Sequence, residues 1–116
     1  MEKTNPVLRE TIIKLEKAAR KNDAPVYEKA AEELKSSKRK QVEVNLSKLE
    51  RKVEDGETVL IPGKVLGAGQ FNKDAKISAF KFTDSAKQDI EEEGEAYFIQ
   101  DLIEENPEGE KVKVIK

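Results

Sequence analysis

An α/β fold preceded by a pair of N-terminal helices is predicted by a change in hydrophobic period near residue 40. Before that point apolar residues recur at helical spacing, and after it short strand-like apolar runs alternate with brief helical ones. Connections are short throughout, and 116 residues is the length of one domain with a single core. The expected division is an N-terminal helical pair with a basic loop over 1–40 and an α/β core over 41–116.

Thr4-Asn5-Pro6 opens the first helix, with a capping side chain followed by proline in the permitted first turn. Leu8, Ile12, Leu15 and Ala19 form its apolar stripe, while Arg9, Lys14, Lys17 and Lys21 lie mostly off it. Asn22-Asp23-Ala24-Pro25 ends that helix and starts a second, whose inner face is Val26, Ala30 and Leu34. An antiparallel pair follows from so short a break.

Ser36-Ser37-Lys38-Arg39-Lys40 is a polar, basic connection. Val42 and Val44 then alternate with polar neighbours as a short strand. Asn45 is placed to cap a helix carrying Leu46, Leu49 and Val53, which Asp55-Gly56 stops. A strand over 58–61 enters a turn at Pro62-Gly63, and a second apolar run leaves it. Residues 75–82 carry apolar groups on both faces, so that strand is expected to be buried on both sides. Thr83-Asp84 caps a helix over 85–92, with Ala86 and Ile90 inward and Gly94 as the stop. A short strand over 96–99, a brief helix or turn over 101–106, and a last strand through Val112 and Val114 complete the chain.

Leu, Ile, Val and Phe make up a quarter of the residues, above the level of about one-fifth below which disorder is expected. Charged residues reach 40%, with 22 basic and 24 acidic side chains and a net charge of -2. Those charges are unevenly placed. Residues 35–52 hold Lys35, Lys38, Arg39, Lys40, Lys48, Arg51 and Lys52 against only Glu43 and Glu50. The acids cluster later, at Glu91-Glu92-Glu93, Glu95 and Glu104-Glu105. One face on a polyanion and the other in solvent fits this pattern, as do two solvated faces.

The chain has no Cys and no His. That removes thiol nucleophiles, disulfides, thiolate zinc sites and the commonest general base and metal ligand. No apolar run approaches membrane-span length, and the first residues are polar, so a cytoplasmic location is expected.

Gly63-Lys64 and Gly67-Ala68-Gly69 invite a test for nucleotide binding. A phosphate loop needs a hydroxyl residue after the lysine, and Val65 stands there. The dinucleotide fingerprint needs a third glycine, and Asn72 occupies its position. Serines have no His to activate them, and solvated helix faces explain Asp84, Asp89 and Glu91 to Glu95, so no enzyme is expected. The basic segment carries more. Lys38-Arg39-Lys40 lies in a loop, while Lys48, Arg51 and Lys52 fall three or four residues apart on a short helix. Together they form an anionic-ligand strip suited to phosphates. Aromatic residues are few, which favours structured RNA read by shape and backbone, with the Phe residues filling the core.

Several segments form an ordered series: Lys3-Thr4-Asn5-Pro6, then Val42-Glu43-Val44-Asn45-Leu46 with Lys48-Leu49, then Pro62 to Gly67 with Gly69. Phe82-Thr83 with Ala86, Gly94-Glu95-Ala96, Asn106-Pro107-Glu108-Gly109 and the ending Val112, Val114-Ile115-Lys116 continue it. Across essentially the whole chain this series resembles the archaeal large-subunit ribosomal protein family L18e. That family has a eukaryotic counterpart and a distant relation to bacterial L15. Lys38 and Lys116 stand where arginine is common in it, and Thr83 where serine is common.

The resemblance implies an α/β core of irregular strand-strand-helix turns, superhelical in course, with the N-terminal helices beside it. It also implies a structural, non-enzymatic role in the large ribosomal subunit, bound to ribosomal RNA and neighbouring ribosomal proteins, with no cofactor and no small-molecule substrate. RNA contacts are expected at Lys38, Arg39, Lys40, Lys48, Arg51 and Lys52, with Lys64 and the backbone of Gly63, Gly67 and Gly69 next, and Lys3 after them. The alternative is a protein-interaction adaptor whose charged faces bind acidic and basic partners.

Overall fold

In a computed structural model, residues 6–36 and 42–116 are described. The chain runs α1 (Pro6–Asn22), α2 (Pro25–Ser36), β1 (Val42–Asn45), α3 (Leu46–Lys52), β2 (Thr58–Leu66) and β3 (Lys76–Phe82). It continues through α4 (Asp84–Glu93), β4 (Glu95–Phe98), α5 (Ile99–Glu105) and β5 (Val112–Val114). The expected α/β order with its helical pair is present. The proposed cap at Thr4-Asn5 lies outside the described residues.

All strand pairings are parallel, in the order β1-β2-β3-β4, and β5 also pairs with β2. β2 is long enough to share one edge between two partners. β5 lies against Thr58 to Leu60, and β1 lies against Gly63 to Leu66. The passage from β2 to β3 contains no helix, whereas α3, α4 and α5 each follow a strand directly. Strand, strand and helix therefore follow one another irregularly, as the resemblance implied.

Two apolar layers hold the sheet. Val59, Ile61, Ile77 and Ala79 pack on one side with Leu46 and Leu49 of α3 and Ala86 and Ile90 of α4. Leu60 and Phe80 point to the other side, against Leu15 of α1, Tyr27 and Leu34 of α2 and Leu102 of α5. β3 is thus covered on both faces, as its sequence suggested. The Ser78 hydroxyl, buried in this sheet, donates to the Val59 carbonyl at 2.7 Å.

Three expectations need correction. Pro62-Gly63 is not a turn, because β2 runs through it and the pairing with β3 skips a step between Ile61 and Lys64. A bulge accommodates a proline that cannot donate to the ladder. The β1 backbone presses against Gly63 so closely that a Cβ there would lie 2.1 Å from the Val42 carbonyl oxygen. Asn45 does stand at the start of α3, but its side chain makes no capping bond. The Ser47 amide donates instead to the Ala68 carbonyl at 3.1 Å, so the loop after β2 satisfies the helix start. Finally, Ile99 belongs to α5 and not to the strand before it, because its side chain is buried with the helices.

Candidate nucleic-acid interface

α3 is amphipathic by its spacing. Leu46, Leu49 and Val53 are buried in the core, while Arg51 and Lys52 are exposed and Lys48 is half-buried. Steps of three and four residues place the three cations on one helical face. The one acid within α3, Glu50, is drawn away from that face: it accepts from the Asn72 amide at 2.9 Å and lies 3.9 Å from the Lys73 ammonium. Arg51 and Lys52 consequently have no ion pair among the described residues.

Further cations arrive from distant sequence. Lys73 donates to the Glu50 and Val53 carbonyls at 3.2 and 2.9 Å, satisfying the end of α3. Lys113 donates to the Lys52 carbonyl at 2.7 Å and pairs with Glu57 at 3.6 Å. Lys48 donates to the Lys116 carbonyl at 2.7 Å. The spacing on α3 was visible in the sequence, but Lys73 and Lys113 were missed. Nothing local marks a lysine that caps a helix 20 or more residues away.

Lys3, Lys38, Arg39 and Lys40 lie outside the described residues. Lys64 is half-buried on β2, in register with Glu43 on one side and Lys81 on the other. No hydrogen bond or ion pair among the described residues joins it to the α3 cations. The glycines make close approaches within the protein. A Cβ at Gly67 would meet the Ser85 hydroxyl oxygen at 2.1 Å, and one at Gly69, whose φ is +97, would meet Ser47 at 2.8 Å. Loop 67–70 thereby lies across the starts of α3 and α4, with Ala68, Gly69 and Gln70 exposed. Buried Phe71 and then β3 follow this loop, so no helix opens behind it onto a phosphate.

A cluster of groups with shifted acidity lies elsewhere, at the start of β3. Lys76 donates to Glu105 at 2.7 Å, which raises the lysine and lowers the carboxyl. The Tyr97 hydroxyl is raised, first by its bond to Glu95 at 2.6 Å and then by burial. An exposed ion pair explains this cluster, which ties β3 to α5. Among the described residues no group of acids is placed to hold a metal ion, and no helix is long and apolar enough to cross a membrane.

Comparison with known proteins gives one consistent family. The family model for ribosomal proteins 50S-L15, 50S-L18e and 60S-L27a matches residues 27–94. A protein of Haloarcula marismortui named large ribosomal subunit protein eL18 is 43% identical over 116 residues, covering 100% of both chains. Its namesake in Methanococcus maripaludis is 44% identical over 113 residues, covering 97% of this chain and 94% of the relative. In Archaeoglobus fulgidus the protein of that name is 40% identical, covering 99% of each. With a matched core of this extent and relatives alike from end to end, the chain belongs to the ribosomal protein family of 50S-L15, 50S-L18e and 60S-L27a.

Proposed function

We propose that this protein is a structural constituent of the large ribosomal subunit, holding ribosomal RNA through the cationic face of α3 and the basic sequence Lys38-Arg39-Lys40. The carrying observation is the end-to-end likeness to relatives named as large-subunit proteins. The α3 face supports it physically, because its one acid is engaged by Asn72 and Lys73 and Arg51 and Lys52 are left to solvent. Cations without carboxylate partners gain the most from phosphate, since the attraction releases counterions without first breaking an ion pair.

In this reading Arg51 and Lys52 make the central contacts and Lys48 flanks them, while Lys38, Arg39, Lys40 and Lys3 are further contacts. Gly63 acts indirectly by admitting the β1 backbone beside β2, and Gly67 and Gly69 act by letting loop 67–70 lie against α4 and α3. Gly69 presents exposed backbone, and Lys64 serves a separate phosphate. The 1–40 and 41–116 segments work as one unit, adjoining other ribosomal proteins on the faces away from RNA. The role is structural and calls for no cofactor.

Replacing Arg51 and Lys52 with Gln tests the assignment through the salt dependence of binding to large-subunit RNA. The slope of log affinity against log salt is expected to fall by about two units, with little change in sequence preference. Replacing Lys38, Arg39 and Lys40 with Ala is expected to remove about three. An unchanged slope together with unchanged incorporation into large subunits rejects the face.

A further inference from the structure

Phe98 departs from the expectation that phenylalanines fill the core. It ends β4 with 49% of its surface exposed, beside Val7 of α1 at 57%. Phe82 supports the ring edge-on, with centroids 6.0 Å apart and planes at 70°. Phe80, Phe98, Ile99, Lys81 and Asp101 line a groove of about 350 Å³ between β4 and the start of α1. Its floor is fixed, because the Gln100 amide nitrogen donates to Thr11 at 3.3 Å while its oxygen accepts from Lys14 at 3.1 Å. The volume is at the small end of ligand pockets, suited to one ring system.

Next to the groove two lysines stand side by side. Lys64 and Lys81 are register partners on adjacent parallel strands, and like charges in that relation repel. Neither has an ion pair among the described residues, Glu43 on the far side of Lys64 included. Lys81 instead lies 5.9 Å from the Phe80 ring centroid. An anion bridging the two ammonium groups would relieve the repulsion.

We propose that this groove takes one unpaired RNA base, stacked on Phe98, with its phosphate between Lys64 and Lys81. The proposal rests on the RNA-binding reading above and names a second, base-contacting site away from α3. Apolar walls, an exposed aromatic face and an adjacent dication match a nucleotide in both shape and charge, and base–aromatic stacking needs no particular sequence. Asp101, on the rim, offers an acceptor to an exocyclic amino group, which favours adenine, cytosine and guanine over uracil.

The test uses the full chain with two RNA hairpins, one carrying a single bulged 2-aminopurine and one fully paired. The protein has no Trp, so base fluorescence is read without background. The bulged hairpin is expected to bind about tenfold tighter, with quenching of the base. Phe98→Ala should abolish that preference while paired-hairpin binding persists, Phe98→Trp should keep it, and Lys81→Gln should weaken the bulged complex. If Phe98→Ala fails to fold, Phe98→Leu retains the apolar contact without the π face and carries the comparison. Equal binding of the two hairpins by the native chain overturns the groove and leaves the α3 reading standing. Binding of neither counts against both. A dimer in sedimentation that Phe98→Ala disperses assigns the groove to a second copy and also overturns the proposal. Loss of large-subunit cofractionation in Phe98→Ala with no bulge preference in the native chain does the same in favour of a protein segment.

Discussion

At Tyr27 a single hydroxyl links α2 to the segment after α5 by donating to the Asn106 carbonyl. The ring has no exposed surface, and burial raises the hydroxyl pKa from 10.0 to about 12. The folded chain therefore keeps a proton that the unfolded chain releases above pH 10. The contribution is fully present below pH 10 and is lost as pH rises toward 12. Tyr27→Phe should cost about 1 to 2 kcal/mol at neutral pH, because the Asn106 carbonyl loses its donor. The same variant should show a smaller fall in stability between pH 10 and 12 than the native chain. Denaturant midpoints across that range check both, and parallel alkaline profiles for the two proteins would refute the role of the hydroxyl.

Among the elements, β2 is the one whose local sequence misleads. Pro62-Gly63 reads as a turn to any local rule, yet the strand continues because β1 and β3 flank it. The pairing of Val42 with Gly63 requires a residue without a side chain at that point. Gly63→Ala should cost about 3 kcal/mol, since backbone atoms of β1 cannot yield as a flexible side chain would. Gly56→Ala is the control: its φ is +87 but nothing lies within 4 Å, so it should cost about 1 kcal/mol. Thermal unfolding of the two variants separates them, and equal losses would mean that β1 gives way at Gly63.

α1 and α2 were legible because their apolar stripes and the break between them are local. The start of α3 was legible in place but not in mechanism, since the Ala68 carbonyl comes from a loop more than 20 residues on and replaces the expected Asn45 cap. The candidate site divides in the same way. Three cations at helical spacing announce themselves, whereas the engagement of Glu50 depends on Asn72 and Lys73, which only the fold brings close. Phe98 was hidden for a different reason: the run Ala96-Tyr97-Phe98-Ile99 has no period that separates an exposed ring from a buried one.

At the scale of the whole molecule, charge is sorted by the topology. Arg51, Lys52, Lys48 and Lys113 gather at α3, while Glu91, Glu92 and Glu93 lie exposed at the end of α4. A net charge of -2 therefore conceals local clusters of opposite sign, and in the proposed reading the α3 cluster meets RNA without the rest of the chain coating it indiscriminately. The binding expected of such a surface is local and strongly salt-dependent. Ultraviolet cross-linking of ribosomal RNA to protein within purified large subunits, with the adducts located by mass spectrometry, reads this arrangement directly. The expected result is RNA adducts on this chain concentrated at Arg51, Lys52 and their neighbours on α3. Absence of the chain from large subunits, or adducts confined to the acidic end of α4, would contradict it.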